Sequence, residues 1–350
     1  MTKRTRLFLL VAAGILVVGL GTGVLASYMG LQNLTLIGGD EPAEFAYVPA
    51  DARFVGYANV RDVMDSDLRR KLTELHPGGD LQPGGDSANR FRERTGIDIE
   101  KDIDYVIAAA SGSDSDASGP PLVLARGRFD QVRLEGFALQ EGATIEDYKG
   151  KRLVTHDNFG LAFVEPGLVA VGNPAAVRRA IDTKAAGTAG ISDNQELMRL
   201  VRDVDDGTVW GVARFDALAN ARLPQEIASR LPAISWFSIK GVINGGVEGQ
   251  LRAEARDDVA AQDLRQVIQG FMALARMQMG QHAELADLMN SLQLGGQGKT
   301  VSLAFSVPAA MIDVLGALRA QRRPELQPQP APGAPSPNPQ FRRRPAPPAL

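Results

Sequence analysis

Gly298, Lys299 and Thr300 end the segment GGQGKT (295–300) as a phosphate-binding loop would end. That loop also needs a glycine at the position held here by Gln293. It must close a strand and open a helix, whereas a helical pattern precedes this segment and the strand pattern TVSLAFSV follows it. The expectation is a turn rather than a nucleotide site. Asp98, Glu100, Asp102 and Asp104 alternate like calcium ligands, but Ile103 and Ala109 stand where such a loop requires Gly and Glu. Asp203, Asp205, Asp206 and Gly207 read as a helix end and a turn. His76, His156 and His282 are the only histidines, and none has a metal-pair spacing. No Ser lies in a G-x-S-x-G or S-x-x-K context. Trp210 and Trp236 fall in strand patterns and read as core. Accordingly, no catalytic, cofactor-binding or metal-ligating residue is assigned, and no cofactor is expected. Carboxylates brought together only by folding leave no spacing signal, so a carboxylate-based hydrolase stays open as an alternative.

The elements that would position any site belong to a chain of 350 residues without cysteine. Disulfides, thiol catalysis and cysteine-held metals are therefore excluded. Charge is unevenly placed. Residues 1–6 carry three cations, and residues 321–350 carry five Arg and one Glu. Of the 38 basic and 41 acidic residues, 30 and 40 remain between these ends, a net of -10. An acidic body argues against nucleic acid as a partner.

Leu7–Ala26 is an apolar run with Thr22 as its one polar residue. Its length predicts a helix of about 30 Å, the thickness of a bilayer core. Lys3, Arg4 and Arg6 precede it, which places the amino terminus in the cytoplasm and the body outside. The expected organisation is a cytoplasmic stub (1–6), a transmembrane helix (7–29) contacting the lipid bilayer and a juxtamembrane linker (30–42). Val24 and Ala26 also suit a cleavage site, so a cleaved signal peptide is the rival reading. The Gly19…Gly23 spacing is that of a helix-pairing motif and would permit a homodimer. At the other end, ten of the thirty residues in 321–350 are Pro, which predicts a disordered, extended tail.

The body predicts an α+β fold of antiparallel-rich sheets covered by helices, in two halves, 43–190 and 191–320. Short strand patterns alternate with helices opened by Asn59 and Pro174. Glu165-Pro166-Gly167-Leu168 suits a type II turn. PLVLARGRFD (121–130) and GTVWGVARFD (207–216) share the ending Arg-Phe-Asp, each before a helical pattern. This suggests a tandem duplication of a β-α-β-β-α unit. The longest helix begins near Val259, capped by Asp257 or Asp258. Leu264, Val267, Ile268, Phe271, Leu274 and Ala275 give it a broad apolar face, widened by Met272, Met277 and Met279. The expectation is a sheet-covering core helix, with an exposed Met-rich binding face as the alternative.

The phrases YVPADARFVGYANVRDVM, EDYKGKRLV, FVEPGLVAVGNPAAVRRAID and QGFMALARMQ together resemble an uncharacterised family of bacterial single-pass, membrane-anchored envelope proteins over residues 43–320. The resemblance implies no activity and no site residues. The expected function is a non-catalytic scaffold or partner-binding protein of the cell envelope, held in the bacterial cytoplasmic membrane with its body in the periplasm or outside. Its partners would be an envelope protein or the cell wall. The alternatives are an extracytoplasmic hydrolase and a small-ligand or lipid-binding module.

Overall fold

Alternating apolar residues place two differently covered faces on one sheet. In the computed structural model, residues 42–70, 86–111, 120–187, 190–215, 234–243, 246–279 and 290–308 are described. Their strands are β1 (Ala52–Asn59), β2 (Ile103–Ser111), β3 (Leu122–Gly127), β4 (Thr144–Tyr148), β5 (Lys151–His156) and β6 (Phe159–Glu165). They continue with β7 (Leu168–Gly172), β8 (Val209–Arg214), β9 (Ile234–Ile243), β10 (Gly246–Ala255), β11 (Gln293–Gly295) and β12 (Thr300–Pro308). All twelve join in one sheet of order β11-β12-β10-β9-β8-β1-β2-β3-β7-β6-β5-β4. Neighbours run antiparallel, including the non-local pairs β1–β8 and β3–β7.

The helices are α1 (Val60–Asp65), α2 (Asp86–Thr95), α3 (Ile99–Asp102), α4 (Gln131–Gln140), α5 (Pro174–Ala186), α6 (Gln195–Arg202) and α7 (Asp258–Met279). Leu122 and Leu124 turn to one face with Val55, Ile107, Leu168 and Trp210, beneath Val177 and Ile181 of α5 and Leu197 and Leu200 of α6. Val123 and Ala125 turn to the other face with Val106, Val169 and Val209, beneath Val60 of α1 and Leu134 of α4. A period of two along each strand therefore serves two cores at once. At the far end, Ala261 and Leu264 of α7 pack on Ala253 of β10 and Val301 of β12.

Local signals place the helix starts. Asn59 Oδ1 accepts from the Asp62 amide at 3.1 Å, and Asp130 Oδ1 from the Arg133 amide at 3.0 Å. Asn173 Oδ1 accepts from Ala176 at 2.8 Å, just before Pro174, and Asp257 Oδ1 from Ala260 at 2.8 Å. Between β6 and β7, Gly167 adopts φ +70°, the conformation that a type II turn demands there.

A short 3₁₀ turn, Ala43–Tyr47, is fastened to the sheet by buried charge. Glu44 is only 2% exposed and accepts from Arg126 Nε at 2.8 Å, with a second bond from Nη2. Arg126 also donates to the Pro166 carbonyl at 3.1 Å. The Tyr47 hydroxyl donates to Glu165 Oε1 at 3.0 Å. Burial alone would push the Glu44 carboxyl up. Arg126, the residue's own amide and Tyr105 outweigh it and hold the carboxyl below its ordinary value of 4.5. Burial, then the Glu165 carboxylate, pushes the Tyr47 phenol up. Phe45 of the same turn meets Trp210 edge-on at 6.3 Å, and Tyr57 stacks on Trp210 at 5.7 Å.

The structure corrects several expectations. The duplication does not hold. β3 returns to pair with β7 after a four-strand meander, whereas β8 pairs with β9, the next described strand. Arg-Phe-Asp recurs because it suits the end of a strand that leads into a helix, as Asp130 shows for α4. The several sheets expected are one sheet. The stub 1–6, the spanning helix at 7–29 and the tail 321–350 lie outside the described residues, as does the helical pattern expected after the second Arg-Phe-Asp. Among the described residues, no helix is long and apolar enough to cross a membrane. The architecture is therefore corrected to an α+β body without a spanning helix among those residues. The bilayer contact, the envelope partner and the membrane localisation deduced from that helix are withdrawn with it.

Two predictions follow from the fold. A Cβ on Gly167 would sit 2.8 Å from the Gly127 carbonyl oxygen while keeping a left-handed φ. Gly167→Ala should cost about 1–3 kcal/mol in urea unfolding, and an unchanged midpoint would contradict the strain. Arg126→Met leaves the Glu44 carboxylate buried and unpaired, and should cost about 3–5 kcal/mol near neutral pH. Because the folded Glu44 pKa is depressed, its stabilisation is present above 4.5 and is lost as pH falls through the lower folded value. The gap between wild type and variant should narrow over that acid window in pH-dependent unfolding, and a constant gap would contradict the assignment.

Candidate functional site

Among the described residues, most polar groups singled out in the sequence pair with other groups of the fold. Asp98 caps α3, accepting from the Glu100 amide at 3.2 Å, and its own amide donates to Asp102 Oδ2 at 2.8 Å. Glu100 pairs with Arg69, and Asp104 with Arg61. Asp203 accepts from Arg252 at 2.6 Å and Asp206 from Lys240 at 2.5 Å, in the turn that follows α6. Burial, then the neighbouring Asp206, pushes the Asp205 carboxyl up. His156 ends β5 with Nδ1 3.7 Å from Asp157 Oδ2. His76 and His282 lie outside the described residues. Trp210 and Trp236 are buried in β8 and β9, and Trp236 Nε1 donates to Glu196 at 2.8 Å. Among the described residues, no three His, Asp or Glu side chains are grouped to hold a metal ion. The ion pairs around Glu44 and Arg126 are closed on one another. They fasten an element and offer no open acid or base.

The segment 295–300 takes part in a different arrangement. It is the turn of the β11–β12 hairpin, with Leu294 paired to Leu303. Gly296 has φ +98°, and a Cβ there would lie 2.2 Å from the Thr300 carbonyl oxygen. Arg265 of α7 clamps this turn, its Nη2 donating to the carbonyls of Gly298 at 2.8 Å and Thr300 at 2.9 Å. The hairpin and α7 enclose an open groove of about 280 Å³. Arg265, Gln269, Met272 and Arg276 form its helical wall, and Leu294, Gly295 and Gly296 face them. The spacing of the helical residues places them on one stripe, and Arg265 and Arg276 lie about 16 Å apart along the axis.

The rest of α7 departs from the expected core helix. Its first turns pack on the sheet through Ala260, Ala261 and Leu264, with Ile268 half-buried beside them. Farther along, Phe271 is 52% exposed, Leu274 50% and Met277 79%. These three recur every third residue on the side of the helix away from the groove. The periodicity recorded an apolar face correctly, but only its first half finds a sheet to cover. No sequence motif marks the groove. The signal that could have found it was GFMALARMQM (270–279), in which Arg276 is the one charged residue.

No family model matches the chain, and no curated protein matches it in sequence. This overturns the expected membership of a single-pass envelope family. Solved structures of TP0453 are similar in shape. Crystal form III has a TM-score of 0.44 at 8% identity, covering 80% of this chain and 99% of that chain. Form I has a TM-score of 0.42 at 11% identity, over 80% of this chain and 98% of that chain. Form IV has 0.41 at 9%, over 79% and 96%. A likeness this distant assigns neither family nor activity.

Proposed function

We propose that this chain is a lipid-binding module whose apolar contact is the outer half of α7. The expected membrane-anchored scaffold is corrected. It rested on a spanning helix and a family resemblance, and neither is carried by the described residues or the comparisons. The alternative of a small-ligand or lipid-binding module has support in the structure.

The observation that carries this reading is the exposure of Phe271, Leu274 and Met277 in one stripe. Large apolar side chains in water are unfavourable by about 1.5–3 kcal/mol each relative to burial. Isolated cases are ordinary, but a periodic run on a helix otherwise attached to the sheet marks a binding surface. Its composition suits hydrocarbon. A phenyl ring, an isobutyl group and a flexible thioether adapt to an acyl chain, which has no fixed shape. The helix also has a polar side, the groove wall opposite the stripe. An acyl-bearing molecule has the same two parts, an apolar chain and a polar end.

Replacing Phe271, Leu274 and Met277 together by Gln keeps good helix formers at surface positions. The triple variant should bind a monoacylglycerol, presented below its micelle concentration, about tenfold or more weakly than wild type in a calorimetric titration. Its thermal midpoint should stay within a few degrees of wild type. Equal affinity in the two proteins would contradict the reading.

A further inference from the structure

We infer that the groove between α7 and the β11–β12 hairpin is a site for an anionic head group of the phosphate class, with Arg276 as the contacting residue. The inference rests on the lipid-binding reading and adds the chemistry of the ligand's polar end. Seven residues line the groove, two of them arginines and none acidic. The body of the chain between residues 7 and 320 carries a net charge of -10. A cationic groove on an acidic surface concentrates anions locally while the rest of the molecule repels them.

The two arginines have different duties. Arg265 is committed to the carbonyls of Gly298 and Thr300 through Nη2. It holds the hairpin against the helix and so keeps the groove open to a fixed width; it is a positioning residue. Arg276 makes no hydrogen bond or ion pair with another described residue and is exposed on the groove wall. Its planar fork of donors matches two oxygens of a phosphate. The opposite wall at Gly295 and Gly296 has no side chains, so a head group can approach the backbone there.

The position of Arg276 also links the groove to the apolar stripe. Met272, one turn earlier, lines the groove, and Met277, the next residue, lies on the stripe. Successive helical residues point about 100° apart. A head group at Arg276 therefore has Met277, the nearest residue of the stripe, about 100° round the helix for the start of its chain. The same groove would accept free phosphate, which shares the chemistry but lacks the chain.

The test uses the full chain and three probes: a monoacylglycerol, its phosphate monoester with the same chain, and inorganic phosphate. In calorimetric titrations, wild type should bind the phosphate monoester about tenfold more tightly than the uncharged lipid. Arg276→Gln should erase that preference, bringing the phosphate monoester to the affinity of the uncharged lipid, whereas Arg276→Lys should retain part of it. Equal affinities in wild type, or a preference that survives in Arg276→Gln, would overturn the proposal. If neither lipid binds wild type, the lipid-binding reading fails, and inorganic phosphate then reads the groove alone. Saturable phosphate binding lost in Arg276→Gln would support an anion site for the free ion, and its absence would overturn the groove as well.

Discussion

Backbone pairing of β1 with β8 is the interaction on which the molecule depends. It runs from Phe54↔Ala213 to Ala58↔Val209, and β1 pairs with β2 on its other edge. This central position lets strands separated by more than a hundred residues share one sheet. Once the sheet is continuous, both of its faces must be covered. The alternation of Leu122, Val123, Leu124 and Ala125 between two cores shows how a single strand meets that demand. The buried pair Glu44–Arg126 then fastens the Ala43–Tyr47 turn over one of those cores. Such a pair contributes less as attraction than as a constraint, because either partner alone would be a buried, uncompensated charge.

A long sheet also has ends, and the described helices cover it unevenly. α5 and α6 lie over the central and meander strands, whereas α7 meets the β10–β12 end through its first half. Twenty-two residues extend about 33 Å, and the described packing of α7 involves its early turns. The exposed half is therefore a consequence of length and attachment, and its apolar composition gives that exposure a use. The hairpin clamped by Arg265 adds a second wall, so one helix presents a hydrocarbon-like surface on one side and a cationic groove on the other.

Much of the local structure was legible in the residues. Asn59, Asp130, Asn173 and Asp257 begin helices because a short oxygen-bearing side chain satisfies a free amide of the first turn. Pro166-Gly167 makes its turn because proline restricts one φ and glycine accepts the other. GGQGKT was recognisable as a turn from the patterns around it. The strand order was not legible. That β3 seeks β7, and β8 seeks β1, depends on surfaces that exist only after folding, and the repeated Arg-Phe-Asp misled because similar strand ends can pair differently. Periodicity in α7 likewise reported which residues share a face, without reporting where the sheet beneath that face stops. The groove was hidden for the same reason, since Leu294 and Met272 meet only across a hairpin and a helix.

The central claim, that hydrocarbon rests on the outer half of α7, is open to direct mapping. A single-chain lipid carrying a diazirine in its acyl chain would be bound to the full protein, photolysed, and located by peptide mass spectrometry. The account predicts adducts concentrated within residues 270–279, competed away by the unlabelled lipid. Saturable labelling confined to other segments, with none in 270–279, would contradict it.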